Sequence, residues 1–157
     1  MTHATDDSAE RRAAMTRAIT AETGIDEAMI GVLVRAFYAR VRHDPLIGPI
    51  FMARVEDWGL HIEKLCAFWS SVALMTGRYH GQPMRVHLDL PVGAAHFDRW
   101  LALFEETATE LCPPAAVAHF MERARRIADS LECGIATQQG QIVAPRHQRD
   151  ATRKVIA

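Results

Sequence analysis

The sequence predicts an all-α protein of one domain, and three observations carry that prediction. Apolar residues recur at intervals of three and four through almost every hydrophobic segment. No run alternates with the period of two that a half-buried strand needs, and no Asn-Gly or Asp-Gly hairpin signal occurs. Prolines and glycines mark the junctions between periodic segments, at Asp44-Pro45, Thr76-Gly77 and Pro113-Pro114. A chain of 157 residues encloses one core and leaves little room for a second.

The elements follow in order. Residues 1 to 20 form a weak extra helix at most, through Ala13, Ala14 and Ile19. The cleanest stripe runs from about Asp26 to Arg42, where Ile30, Leu33, Val34, Phe37, Tyr38 and Val41 share a face. Asp44-Pro45 stops it, because the residue before proline is pushed out of the helical region. Leu46 to Met52 contains Gly48-Pro49 and has room for only a turn or two. A long helix from about Glu56 to Met75 places Trp58, His61, Ile62, Leu65, Phe68, Trp69 and Val72 on one face, and Gly77 suits a left-handed terminus. Residues 77 to 92 hold Gly77, Gly81, Pro83 and Pro91, and read as a loop with one short helical turn. Phe97, Trp100, Leu101, Phe104, Ala108 and Leu111 are the inward stripe of a helix from Gly93 to Leu111. Pro114 suits the first turn of the last helix, which continues to about Ala136. Residues 137 to 157 are polar, basic and poor in core residues, and read as a mobile tail.

Composition narrows the function. Apolar residues make up 49%, charged residues 24%, and the net charge is -1, so no electrostatic footprint for nucleic acid exists. Arg146, Arg149, Arg153 and Lys154 are spread as solvated tail charges rather than as a nucleic-acid arm. No apolar stretch approaches the ~18 residues of a membrane span, and the polar start lacks a signal-peptide core, which points to the cytoplasm. Cys66, Cys112 and Cys133 are odd in number and widely spaced. They read as buried reduced thiols, with neither a disulfide framework nor a structural zinc site.

Chemistry concentrates in four segments. His87 sits in a short turn bounded by Pro83 and Pro91, ahead of the helix carrying Trp100. Such a turn is how a helical protein can present a neutral imidazole to a haem iron. Tyr38 lies on the inward stripe beside Phe37, and His61 shares a face with Leu65, Phe68 and Trp69. Phe51 follows Gly48-Pro49-Ile50 at a corner, where it can pack on a flat ring or plug the core. Taken singly, each is most simply a core or surface side chain. Together, Tyr38, His61 and Trp100 would bury three polar groups, each needing a partner or costing about 1–3 kcal/mol. A polar pocket accounts for all three.

These residues carry a resemblance to the truncated haemoglobins, and within them to the third group. The matching stretches are Phe37-Tyr38-Ala39-Arg40-Val41-Arg42-His43-Asp44-Pro45-Leu46-Ile47-Gly48-Pro49-Ile50-Phe51, His61 to Ser71, Thr76-Gly77-Arg78-Tyr79, Pro83-Met84, His87-Leu88-Asp89-Leu90-Pro91 and His96-Phe97-Asp98-Arg99-Trp100-Leu101. They span about residues 26 to 135 in order. Other groups of the family carry Gly-Gly pairs at helix junctions; this chain has none and shows Ser70-Ser71 after Trp69.

The resemblance implies a two-over-two helical sandwich around haem b, with a very short proximal helix, in a globin domain over 21–136. It implies that His87 is the iron ligand and that Tyr38, His61 and Trp100 form the distal side. It implies that Phe51, Leu65, Phe68, Trp69 and Met84 lie against the haem, with Arg78, Tyr79 and Arg85 as candidates at the propionates. Oxygen, nitric oxide, carbon monoxide, cyanide and peroxide are the expected ligands. Ligand chemistry, detoxification or sensing is expected rather than bulk oxygen transport, with peroxidase-like or nitric oxide dioxygenase-like turnover left open. A reductase or other electron donor and a monomer or weak dimer complete the expectation; nucleic acid and membrane are not expected partners. Two readings from other classes stand beside it: a non-haem metal enzyme using His61, His87 and His96, and a helical interaction module without haem.

Overall fold

Asp26 sets the start of the first core helix, because its carboxylate accepts from the Met29 N–H and satisfies one of the free donors of the first turn. Asp57 does the same for the Leu60 N–H at the start of the next long helix. The computed structural model describes residues 3–150, so Arg153 and Lys154 lie outside the described residues. Seven helices follow in order: α1 His3–Thr23, α2 Glu27–His43, α3 Gly48–Arg54, α4 Trp58–Leu74, α5 Pro83–His87, α6 Ala94–Leu111 and α7 Pro114–Gln138. No strand occurs among the described residues. α2 packs on α4, α6 on α7, and α2 crosses α6, which makes two helix pairs laid over one another.

The stripes read from the sequence meet in the middle. Ile30, Leu33, Val34, Phe37 and Val41 of α2 pack with Trp69, Ala73 and Leu74 of α4, Phe104 and Ala108 of α6, and Phe120 and Ala124 of α7. Aromatic stacking organises the centre. Phe104 lies between Trp69, at a centroid distance of 5.0 Å, and Trp100, at 5.6 Å, in near-parallel planes. A smaller cluster of Phe97, Ala128 and Ile135, with Val92, Leu101 and Leu131, closes the end of the molecule near α5.

Two junctions differ from the sequence expectation. The left-handed end of α4 is Met75 (φ 61°), and Gly77 (φ 72°) takes a second left-handed turn two residues later. The extra helix at the amino end is long, and it is tied down: the Thr16 hydroxyl donates to the Leu74 carbonyl at 2.6 Å. The Asp44-Pro45 corner is a buried knot. The Asp44 carboxylate accepts from the backbone of Leu46 and Ile47, both at 3.0 Å, and from Arg99 Nε at 2.6 Å.

Within the described part of the expected tail, Arg146 and Arg149 fold back onto α7. Glu132, only 4% exposed, accepts from Arg146 at 2.9 Å and from Arg149 at 2.6 and 3.0 Å. The Arg146 N–H donates to Asp129, and its guanidinium also pairs with Asp98 of α6.

Candidate functional site

Tyr38 projects from the buried stripe of α2 and is 4% exposed. Four aromatic rings surround it: Phe37 at 4.8 Å, Phe51 at 5.6 Å, His61 at 5.9 Å and Trp58 at 6.5 Å between centroids. Burial pushes the phenol well above its ordinary range, and the hydrogen bond from the Trp100 indole opposes this without reversing it. Tyr38 therefore keeps its proton and stays a donor.

His61 lies one turn into α4, because the Asp57 cap fixes where the helix begins. Its Nε2 is buried with no hydrogen-bond partner. Burial, then the Lys64 charge, then His87 lower its pKa, so the ring is neutral near pH 7. The ring is set edge-on to both Tyr38 and Trp58. Trp58 is a member of this cluster that the sequence placed only on a helical face. Its spacing of three from His61 is the signal that puts both on one side of α4.

His87 ends α5, a helix of five residues, and is half-buried. Its Nδ1 lies 2.5 Å from the Pro83 carbonyl oxygen. A carbonyl only accepts, so Nδ1 carries the proton and Nε2 keeps its lone pair, as in histidines that ligate metals. Gly134 of α7 lets α5 come close, since a Cβ there would stand 2.4 Å from the Met84 sulfur. Arg54 of α3 pairs with Asp89 just beyond His87 at 3.1 Å.

The remaining candidates divide. Phe51, Leu65, Phe68 and Trp100 are partly buried hydrophobics along the edge of the core, and Tyr79 lies edge-on to Phe68 at 5.3 Å. Trp69 is inside the core, 2% exposed, stacked on Phe104. Arg78 pairs with Glu27 of α2 at 2.9 Å, and Arg85 is exposed on α5. His96 is spent on its own helix start, where Nδ1 accepts from the Gly93 N–H at 3.1 Å. Among the described residues no three His, Cys, Asp or Glu side chains come together to hold a metal ion.

Residues 20–132 match the family described as bacterial-like globin. The group 3 truncated haemoglobin of Campylobacter jejuni is 35% identical over 113 residues, covering 69% of this chain and 89% of that protein. The crystal structure of a group III truncated haemoglobin from the same organism superposes with a TM-score of 0.65 at 35% identity, with the same coverage. The chain belongs to the truncated haemoglobins.

As a truncated haemoglobin of the third group it binds haem b, and through it small diatomic ligands. The residues present fit that cofactor. His87 has Nδ1 tied to the backbone, which leaves Nε2 as the nitrogen that could take iron, and His61 Nε2 is a buried polar atom without a hydrogen-bond partner. Most of α1 and everything after Glu132, including Arg146 and Arg149, lie outside the family match. No helix among the described residues is long and apolar enough to cross a membrane.

Proposed function

We propose that the protein binds oxygen, nitric oxide, carbon monoxide, cyanide or peroxide at its haem in the cytoplasm, and serves ligand chemistry, detoxification or sensing rather than bulk oxygen transport. The observation that carries this reading is the convergence of buried Tyr38 with half-buried Trp100 and His61, where His61 Nε2 is a buried polar atom without a hydrogen-bond partner. Haem b, when bound, supplies an iron with one position open to a small ligand. His87 would hold that iron through Nε2, its Nδ1 being anchored on the Pro83 carbonyl.

On the other side Tyr38 and Trp100 each bring an N–H or O–H donor that cannot ionise near pH 7. A ligand that gathers negative charge on its outer atom is stabilised by about 1–2 kcal/mol per donor. Neutral His61 can accept or donate one proton at Nε2, which suits it to proton delivery. Slow release follows from two donors, and a protein that releases slowly is a poor carrier. A separate electron donor is part of this reading, as is a monomer or weak dimer. Phe51, Leu65, Phe68 and Met84 form the apolar walls, and Tyr79, Arg78 and Arg85 the propionate edge. Trp69 supports the wall from behind, through Phe104 and Phe68.

An absorption spectrum of the purified protein, reduced with and without carbon monoxide, tests the haem reading. A Soret band that shifts with carbon monoxide is expected, and His87→Ala should abolish or grossly change it. A colourless protein that stays so after haemin is added would overturn the proposal in favour of an interaction module.

A further inference from the structure

A groove of about 410 Å3 runs between α2 and α4 on the side away from α6 and α7, lined by Arg35, Tyr38, Arg42, Trp58, Gly59 and Ile62. Its inner members are those of the ligand site: Tyr38 reaches the groove and is also the phenol bonded to Trp100. Trp58 stands between groove and site. Its inner side meets the His61 ring at 5.6 Å, nearly perpendicular, and the Arg42 guanidinium lies over its ring, 4.6 Å from the centroid.

Trp58 is placed to move. It is the first residue of α4, next to the extended Val55–Asp57 link, and is only partly buried against the core. The cation above it is on α2, and among the described residues no carboxylate forms an ion pair with Arg42, so the guanidinium stays on the indole. A cation–π contact at a half-exposed site biases one ring position without locking it.

We propose that Trp58, held by Arg42 at the floor of the α2–α4 groove, is the gate through which small ligands reach the Tyr38–His61–Trp100 site. This rests on the haem reading above. With Trp58 seated, the groove ends at its indole and His61 is held inward. When Trp58 swings aside, the groove continues past Tyr38 and Ile62 toward the site. Arg42 is then a positioning residue acting through Trp58.

Gly59 offers a place for a plug: it lines the groove, and beyond its chain neighbours a Cβ added there meets only the Asp57 carboxylate, at 3.4 Å, so a larger side chain at 59 is expected to occupy the groove. Carbon monoxide rebinding after flash photolysis of the haem-loaded protein reads the gate. Association should slow by about threefold or more in Gly59→Phe, with more rebinding from within the protein, and quicken by about tenfold in Trp58→Ala. Arg42→Gln should quicken it by about two- to fourfold, and Arg42→Lys, which keeps a cation, should restore most of the parent rate. A second readout needs no ligand on the haem: with fluorotryptophan incorporated, the Trp58 fluorine resonance should shift under dissolved xenon in the parent and stay still in Gly59→Phe.

Each failure points to a different cause. No carbon monoxide difference spectrum in the parent overturns the haem reading, and the gate with it. Normal spectra with association unmoved in both Gly59→Phe and Trp58→Ala overturn the gate alone. Access past His61 is then the route, marked by a rate that rises only in His61→Ala.

Discussion

At Tyr38 the environment decides the chemistry. Enclosed by Phe37, Phe51 and Trp58, the phenol holds its proton and presents a donor beside the Trp100 indole. Replacing both donors, as Tyr38→Phe with Trp100→Phe, should raise the oxygen dissociation rate by about one and a half to three orders of magnitude, taking about 1–2 kcal/mol per donor and ~1.4 kcal/mol as tenfold. An unchanged rate in stopped-flow displacement would remove the two donors from the account. Asp44 is the other residue whose surroundings matter. Burial pushes its carboxyl up, but the Ile47 N–H, the Arg99 guanidinium and the Leu46 N–H outweigh this and hold it below the usual carboxylate range. A depressed carboxylate stabilises the fold above its unfolded pKa, and that stability is lost as pH falls through the lower folded value. Asp44→Asn should thus cost about 2–3 kcal/mol at pH 7 and much less near pH 3, read from urea midpoints across pH.

Among the elements, α4 carries most of the site, and its end is satisfied by its neighbours. The carbonyls of Val72, Ala73 and Leu74 accept from Arg123, His119 and Thr16, so α7 and α1 complete the last turn that α4 leaves open. The turn then reverses at Met75, in a backbone region that side-chain-bearing residues adopt at a cost. Met75 is 44% exposed, so its side chain contributes little packing. Met75→Gly should therefore stabilise the protein by about 0.5–1 kcal/mol, seen as a thermal midpoint raised by a few degrees. A lowered midpoint would mean that the Met75 side chain is holding the loop. At α5 the contact with α7 is close: a Cβ at Gly134 would stand 2.4 Å from the Met84 sulfur, so the flexible Met84 side chain would have to shift, and 3.7 Å from Leu88.

Across the whole molecule, the returning carboxyl-terminal segment braces α7, against which α5 with His87 also packs. Glu132 is buried and relies on Arg146 and Arg149. Removing both arginines, as Arg146→Ala with Arg149→Ala, should cost about 3–5 kcal/mol by leaving a buried carboxylate unpaired. Adding Glu132→Leu to that pair should recover a good part of the loss in urea denaturation. If the arginine pair alone costs nothing, the contact to α7 is incidental to stability.

The helices were legible because burial along a helix repeats every three to four residues, and the stripes from Ile30 to Val41 and from Phe97 to Leu111 state that period outright. The resemblance assigned His87, Tyr38, His61 and Trp100 by their order and spacing, and the fold brings Tyr38, His61 and Trp100 together. Other features depend on residues far apart in the chain meeting in space, which no local pattern records. Trp58 gains its place from Arg42 on another helix, Trp69 is drawn into the core by Phe104 rather than left at the pocket edge, and Arg78 is taken up by Glu27. The tail arginines read as solvated because their neighbours in sequence are polar; their partner is a carboxylate on α7 that only the folded chain brings to them. Sequence alone determined the helical class, which follows from residue type and period, and through its resemblance the globin family and its haem. Tertiary structure decided which side chains guard that site and which brace it, since pairing of charges and rings is a property of distance in space.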